Sequence, residues 1–102
     1  MIKLDKEKLI NSYNNGDSSW LAEIEKQVKE NEFRKDLTEE DNETIATAKK
    51  MIKLLWHMNY VIIETEEEDY ARKYNEETYD IYSRIKIDLM QLLDYDDFWE
   101  EL

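Results

Sequence analysis

Apolar residues recur at helical spacing through most of this chain. Leu4, Leu9, Ile10 and Tyr13 predict a short helix over Leu4–Asn14. Trp20 or Leu21, with Ile24 and Val28, predicts a second over Ser18–Glu30, and Glu and Lys alternate on its other side from Ser19 to Asp36. Between the two, Asn14-Asn15-Gly16-Asp17 reads as a turn. Gly16 suits a left-handed position closing the first helix, and Asp17 or Ser18 suits the cap of the second.

The strongest start signal lies at Leu37-Thr38-Glu39-Glu40-Asp41, with Thr38 as N-cap and Asp41 at the third helical position. From there Ile45, Ala48, Ile52, Leu55, Asn59 and Ile62 keep a three-four rhythm, with Met51 and Met58 beside it. That pattern predicts one long helix over about Glu39–Glu64. Asn59 would sit on its seam and fix the register of packing. Five of the six residues from Glu64 to Asp69 are acidic. Mid-helix they would repel one another, whereas at a helix N-terminus they are favoured. A turn is therefore expected near Thr65, and a last helix over about Glu67–Leu93. Its seam is Tyr70, Tyr74, Ile81, Ile85 and Leu92, with Leu89 alongside. Residues 85–93 carry six large apolar side chains distributed all around the helix, as a segment buried on several sides or used as an interface would. The remainder, Asp94–Leu102, is an acidic-aromatic tail.

These elements assemble as one all-α domain spanning residues 1–102, a small bundle of four helices. Two short helices lie across a long antiparallel hairpin that pairs Ile45, Ile52, Leu55 and Ile62 with the seam of the last helix. Composition supports the class. One glycine and no proline leave almost no residues for hairpin turns. The absence of cysteine excludes disulfides, thiol nucleophiles and zinc–thiolate sites. The N-terminal residues lack the apolar run of a signal peptide, and Met51–Ile63 is too short to span a bilayer. A cytoplasmic protein is expected, in the host cytoplasm if the source is viral.

Charge is unevenly spread. Residues 64–102 hold fourteen acids and four bases, a net of −10, against −2 for residues 1–63. A field of that sign repels nucleic acid and anionic membrane and attracts basic surfaces. Lys49, Lys50 and Lys53 form the one basic cluster, too small for phosphate binding, so direct nucleic-acid binding is not expected. His57 is the sole histidine, and Leu54 stands where a di-metal bundle would place a glutamate. No serine has a nucleophile-elbow context. No metal, cofactor or catalytic residue is assigned.

Two constellations remain. With Ile81 facing inward, Glu66, Asp69, Glu76, Glu77 and Asp80 lie along one flank of the last helix. Steps of four residues rise about 6 Å, and backbone phosphates advance about 3.4 Å per residue of each strand. A row of carboxylates at such spacing can imitate a phosphate strand, with Lys73 and Arg84 interrupting it. The second is Asp96-Asp97-Phe98-Trp99-Glu100-Glu101-Leu102, in which acids flank aromatics as in segments that dock into basic-rimmed apolar grooves. Folding back to close the core is its other reading. In composition alone the chain resembles small acidic helical inhibitors, such as virus-encoded antagonists of bacterial defence nucleases of the anti-CRISPR type.

The expected function is that of a non-enzymatic binding protein. It blocks a basic partner, typically a nucleic-acid-binding protein or nuclease, through the acidic row with Asp96, Asp97, Phe98 and Trp99 as anchor. The alternative is a toxin or bacteriocin immunity protein, or a structural helical subunit, acting through the apolar surface of residues 85–93, which would also serve a homodimer.

Overall fold

A computed structural model of the protein describes residues 1–64 and 69–102, with side chains described throughout except at 17 and 61–75. The regular elements among the described residues are helical: α1 Lys6–Asn14, α2 Asp17–Asn31, α3 Glu39–Glu64 and α4 Asp69–Leu92, then a 3-10 turn at Asp96–Glu100. Each helix packs on the next in chain order, and the 3-10 turn packs on α4. The expected turn near Thr65 lies outside the described residues, as do the side chains of Ile62, Tyr70 and Tyr74 assigned to the α3–α4 seam. No described helix is long and apolar enough to cross a membrane.

Capping sets the boundaries. Thr38 Oγ1 accepts the Asp41 N–H at 3.1 Å, and Asp41 Oδ2 accepts the Thr38 N–H at 3.1 Å. This reciprocal pair satisfies two otherwise orphaned donors at the start of α3, as the sequence predicts. Gly16 takes a different role from the one expected. It is the N-cap of α2 at φ 124°, ψ 158°, a region that only glycine occupies readily, while α1 ends on Asn15 with right-handed backbone. The left-handed C-terminal position belongs instead to Asp94, at φ 61°. There the Tyr95 N–H donates to Met90 O at 2.7 Å and the Asp94 N–H to Gln91 O at 3.1 Å, the Schellman arrangement that closes α4.

The first helix starts at Lys6 rather than Leu4, because the preceding residues run alongside α2. Gln27 and Asn31, both buried, lie four apart on α2. Gln27 Oε1 accepts the Asp5 N–H at 2.7 Å, and Gln27 Nε2 donates to Asp5 O at 3.1 Å. Asn31 Oδ1 accepts the Lys3 N–H at 2.9 Å, and Asn31 Nδ2 donates to Lys3 O at 2.7 Å. Four helical residues rise about 6 Å and two extended residues advance about 6.6 Å, so the two amides match alternate residues of the segment. Side chains thus substitute for a neighbouring strand.

A single apolar core collects one stripe from each helix: Leu9; Trp20, Leu21, Ile24 and Val28; Ile45, Ala48, Ile52 and Leu55; Tyr82, Leu89, Met90 and Leu93; and Phe98 from the 3-10 turn. The α2 and α3 stripes are those the periodicity predicts. The α4 stripe is displaced by one residue. Tyr82 is buried, and Ile81, assigned to the seam, is 56% exposed. The stripe runs Tyr82, Lys86, Leu89, Leu93 at spacings of four, three and four. It is continuous because Lys86, only 4% exposed, buries its stem and places its ammonium among aromatic rings. Asn59 is also redirected, since its Nδ2 donates to Ser18 Oγ at 3.2 Å at the start of α2.

Candidate functional site

The outer face of α4 is the acidic surface of the described residues. Glu76, Glu77 and Asp80 are exposed. At 3.6 residues per turn they occupy about 100° of arc, opposite the stripe of Tyr82, Leu89 and Leu93. The displaced register moves the inward direction by one residue and leaves this face turned to solvent. Arg84 is exposed on the same face and interrupts the row, as expected, and Asp88 is exposed beside it. Asp69 opens α4, but its side chain, that of Lys73, and all of Glu66 lie outside the described residues.

Among the described residues no cation lies within ion-pair distance of Glu76, Glu77 or Asp80. Among the described residues the ion pairs are Lys6 with Asp97 and Glu101, Lys8 with Asp5, Lys26 with Glu30, Lys29 with Glu25, Lys49 with Glu32, Arg34 with Asp36, and the terminal ammonium with Asp41. Each cation in that set meets an acid of the first two helices, their loops, the first turn of α3 or the C-terminal segment. None meets Glu76, Glu77 or Asp80. Exposed carboxylates gathered on one arc of α4 attract a cationic partner at distances up to a Debye length.

The lysines of α3 border a cleft of about 240 Å³ between α2 and α3, lined by Glu25, Lys29, Lys49, Ile52, Lys53 and Trp56. Lys29 and Lys49 already face Glu25 and Glu32, so the cluster is internally compensated. His57 is exposed on α3. Among the described residues, no group of three His, Cys, Asp or Glu side chains is placed to hold a metal.

The C-terminal acidic-aromatic segment is docked on its own body. Phe98 is fully buried, which removes it from any surface available to a partner in this form. Its ring lies 6.4 Å from Trp20, 6.5 Å from Tyr13 and 4.9 Å from Trp99. Trp99 is half-buried against Tyr13 and Trp20, at 5.6 and 5.5 Å. Of the acids, Asp96 is exposed, while Asp97 is held by Lys6 Nζ at 2.9 Å, alongside Glu101 at 2.8 Å. The Lys6 hydrogen bond holds the Asp97 carboxyl below its ordinary range, and the Glu101 and Asp97 hydrogen bonds raise Lys6 above its own. Of the tail residues assigned to a partner, Asp96 and Asp97 remain exposed, Asp97 already paired with Lys6, and part of the Trp99 ring is accessible.

Beneath the segment lies a feature the sequence analysis missed. The Lys86 ammonium sits 5.0 Å from the centroid of Tyr82, 5.2 Å from Tyr13, 5.4 Å from Trp99 and 5.7 Å from Trp20. The negative faces of aromatic rings replace part of the hydration a buried cation loses. The rings come from α1, α2, α4 and the 3-10 turn, so this cage ties both ends of the chain together. Its sequence signal is a lysine in step with Tyr82 and Leu89, at spacings of four and three. The indole N–H groups of Trp20 and Trp99 are buried there without a hydrogen-bond partner among the described residues.

No protein-family model matches the chain, and no curated protein or solved structure matches it.

Proposed function

We propose that this chain is a non-enzymatic binding protein that occupies the basic surface of a nucleic-acid-binding partner, with the outer face of α4 standing in for a phosphate strand. The observation that carries the reading is that Glu76, Glu77 and Asp80 share one solvent-facing arc of α4 with no ion-pair partner among the described residues, whereas acids such as Glu25, Glu30 and Asp97 each meet a lysine. Unpaired like charges on one exposed face repel one another, a cost that a basic partner relieves on binding. Glu66 and Asp69 extend the row on the sequence pattern, and Asp96 adds charge at the far end. The action is inhibition by steric and electrostatic blocking in the cytoplasm, of the sort virus-encoded anti-defence proteins perform.

The rigid support for this row is an antiparallel pairing of α3 with α4. It is supported by a cleft that brings Glu40 and Thr44 from the start of α3 together with Leu92 and Leu93 from the end of α4. A stiff helix holds the carboxylates at fixed spacing, which lowers the entropy lost on binding.

A second reading keeps a specific observation in its favour. Ile81 and Ile87 on α4 are 56% and 44% exposed, so an apolar helix-to-helix interface could form on the same helix, as an immunity protein or structural subunit would use. Competition separates the two. A partner captured on the immobilised chain should be displaced by duplex nucleic acid if the α4 row occupies its phosphate site. Retention of the partner at saturating nucleic acid contradicts mimicry.

A further inference from the structure

Besides packing on α4, the 95–101 segment is tied by its side chains to the first twenty residues. Tyr95 Oη donates to Leu4 O at 2.7 Å, Lys6 Nζ clamps Asp97 and Glu101, and the Phe98 and Trp99 rings rest on Tyr13 and Trp20. Its connection to α4 is Asp94, whose φ of 61° is a backbone state that disfavours a side chain with a Cβ. Rotation of that residue to right-handed backbone exchanges the two Schellman bonds for helical ones and lets α4 run on.

The geometry points to residues 95–101 as a strap that opens as a unit about Asp94 while the α1–α4 body stays folded. In the closed form an acidic-aromatic segment is docked in cis on an aromatic groove with a lysine rim. The open form uncovers two complementary surfaces. One is the strap itself, with Phe98 and Trp99 between Asp96, Asp97, Glu100 and Glu101. The other is the groove, with Trp20, Tyr13 and the Lys86 ammonium. Three features favour opening as a unit. The strap's polar ties converge on Leu4 and Lys6, its hinge is a single residue, and that hinge is held in a conformation its residue type does not prefer. The strap deepens the proposed function by supplying the apolar anchor that the acidic row lacks in the closed form. That step rests on the proposed function, whereas the opening itself does not.

Amide hydrogen exchange on the full chain, read by mass spectrometry, tests the strap without any partner. The reporters are the Tyr95, Phe98 and Glu101 N–H groups, whose acceptors are Met90 O, Tyr95 O and Phe98 O, compared with the amides of α2. Reporter exchange at least tenfold faster than that of α2 is expected. Asp94→Gly should slow it about fivefold, because glycine removes the left-handed penalty and weakens the continuous helix. Lys6→Gln should accelerate it several-fold, and α2 should change little in either variant. Two results overturn the proposal. One is a common rate for strap and α2 that moves together in both variants, meaning the segment is part of the cooperative core. The other is fast strap exchange indifferent to both substitutions, meaning the end frays without a hinge. Either failure leaves the nucleic-acid competition at the α4 row unaffected.

Discussion

Asn31→Leu probes the amide ladder on which the N-terminal segment depends. Leucine has the same branched shape as asparagine and suits a helix, so the change removes hydrogen bonds while keeping the side-chain outline and helix propensity. Asn31 serves the Lys3 N–H at 2.9 Å, Lys3 O at 2.7 Å and Gln27 O at 2.8 Å, and accepts from Arg34 Nη1 at 3.1 Å. The Gln27 carbonyl lies within α2, and exposed Arg34 can turn to water. The lasting loss is the N–H and C=O of Lys3, both set against the α2 surface. Leaving a buried backbone group unpaired costs about 1–3 kcal/mol. Lys3 is exposed at its side chain, which places each group near the lower bound and the pair at about 2–3 kcal/mol. Urea denaturation should show this as a lower midpoint with an unchanged slope. Hydrogen exchange should show loss of protection at Lys3 with Asp5, still held by Gln27, less affected. A change under about 0.5 kcal/mol with Lys3 still protected would mean the ladder is not what holds the segment.

Three further outcomes are expected. Gly16→Ala should cost about 1–3 kcal/mol in thermal or urea unfolding, purely from backbone conformation, because nothing lies within 4 Å of a Cβ built there. The α4 register predicts that Ile81→Asp changes stability by under about 0.5 kcal/mol while Leu89→Ala costs about 2–5 kcal/mol. Equal effects would restore Ile81 to the core. In pH titrations of stability, the difference between the natural chain and Lys6→Ala should be steady across the middle range. On the acid side it should fall as pH drops through the depressed Asp97 pKa, since that contribution exists only above the unfolded carboxylate value. On the alkaline side it should fall as pH rises through the elevated Lys6 pKa, since that contribution is complete below the unfolded lysine value.

The helices of this fold were legible wherever local chemistry decides. The α3 start follows from Thr38 and Asp41, and the α2 and α3 stripes follow from spacing. Two of the differences come from polar groups used inside the fold. Periodicity classes Lys86 as solvent-facing, so it chooses Ile81 and Ile85 over Tyr82 and Lys86 and displaces the α4 seam by one residue. Gln27 and Asn31 sit in step with Ile24 and Val28, yet their role depends on a segment more than twenty residues away. Gly16 was recognised as needing unusual backbone but assigned to the wrong helix end, because composition does not distinguish a left-handed C-terminus from an extended N-cap. The tail was divided between docking and closing the core. Phe98 is in the core, and only the contacts of Tyr13, Trp20 and Lys6 decide that, each more than seventy-five residues away in sequence.

The central claim is that the free carboxylates of α4 carry recognition. Capture of partner from lysate should be compared for the natural chain, for Glu76→Lys/Glu77→Lys/Asp80→Lys and for Ile81→Asp/Ile87→Asp, each at about 0.05 M and about 0.5 M salt. All five substituted side chains are exposed on α4, so folding is expected to survive, and circular dichroism checks it. Capture by the natural chain is expected at low salt, with loss at high salt and loss on charge reversal at either. Capture that is indifferent to salt and to charge reversal, but abolished by the paired isoleucine substitutions, would contradict it and place recognition in apolar contact.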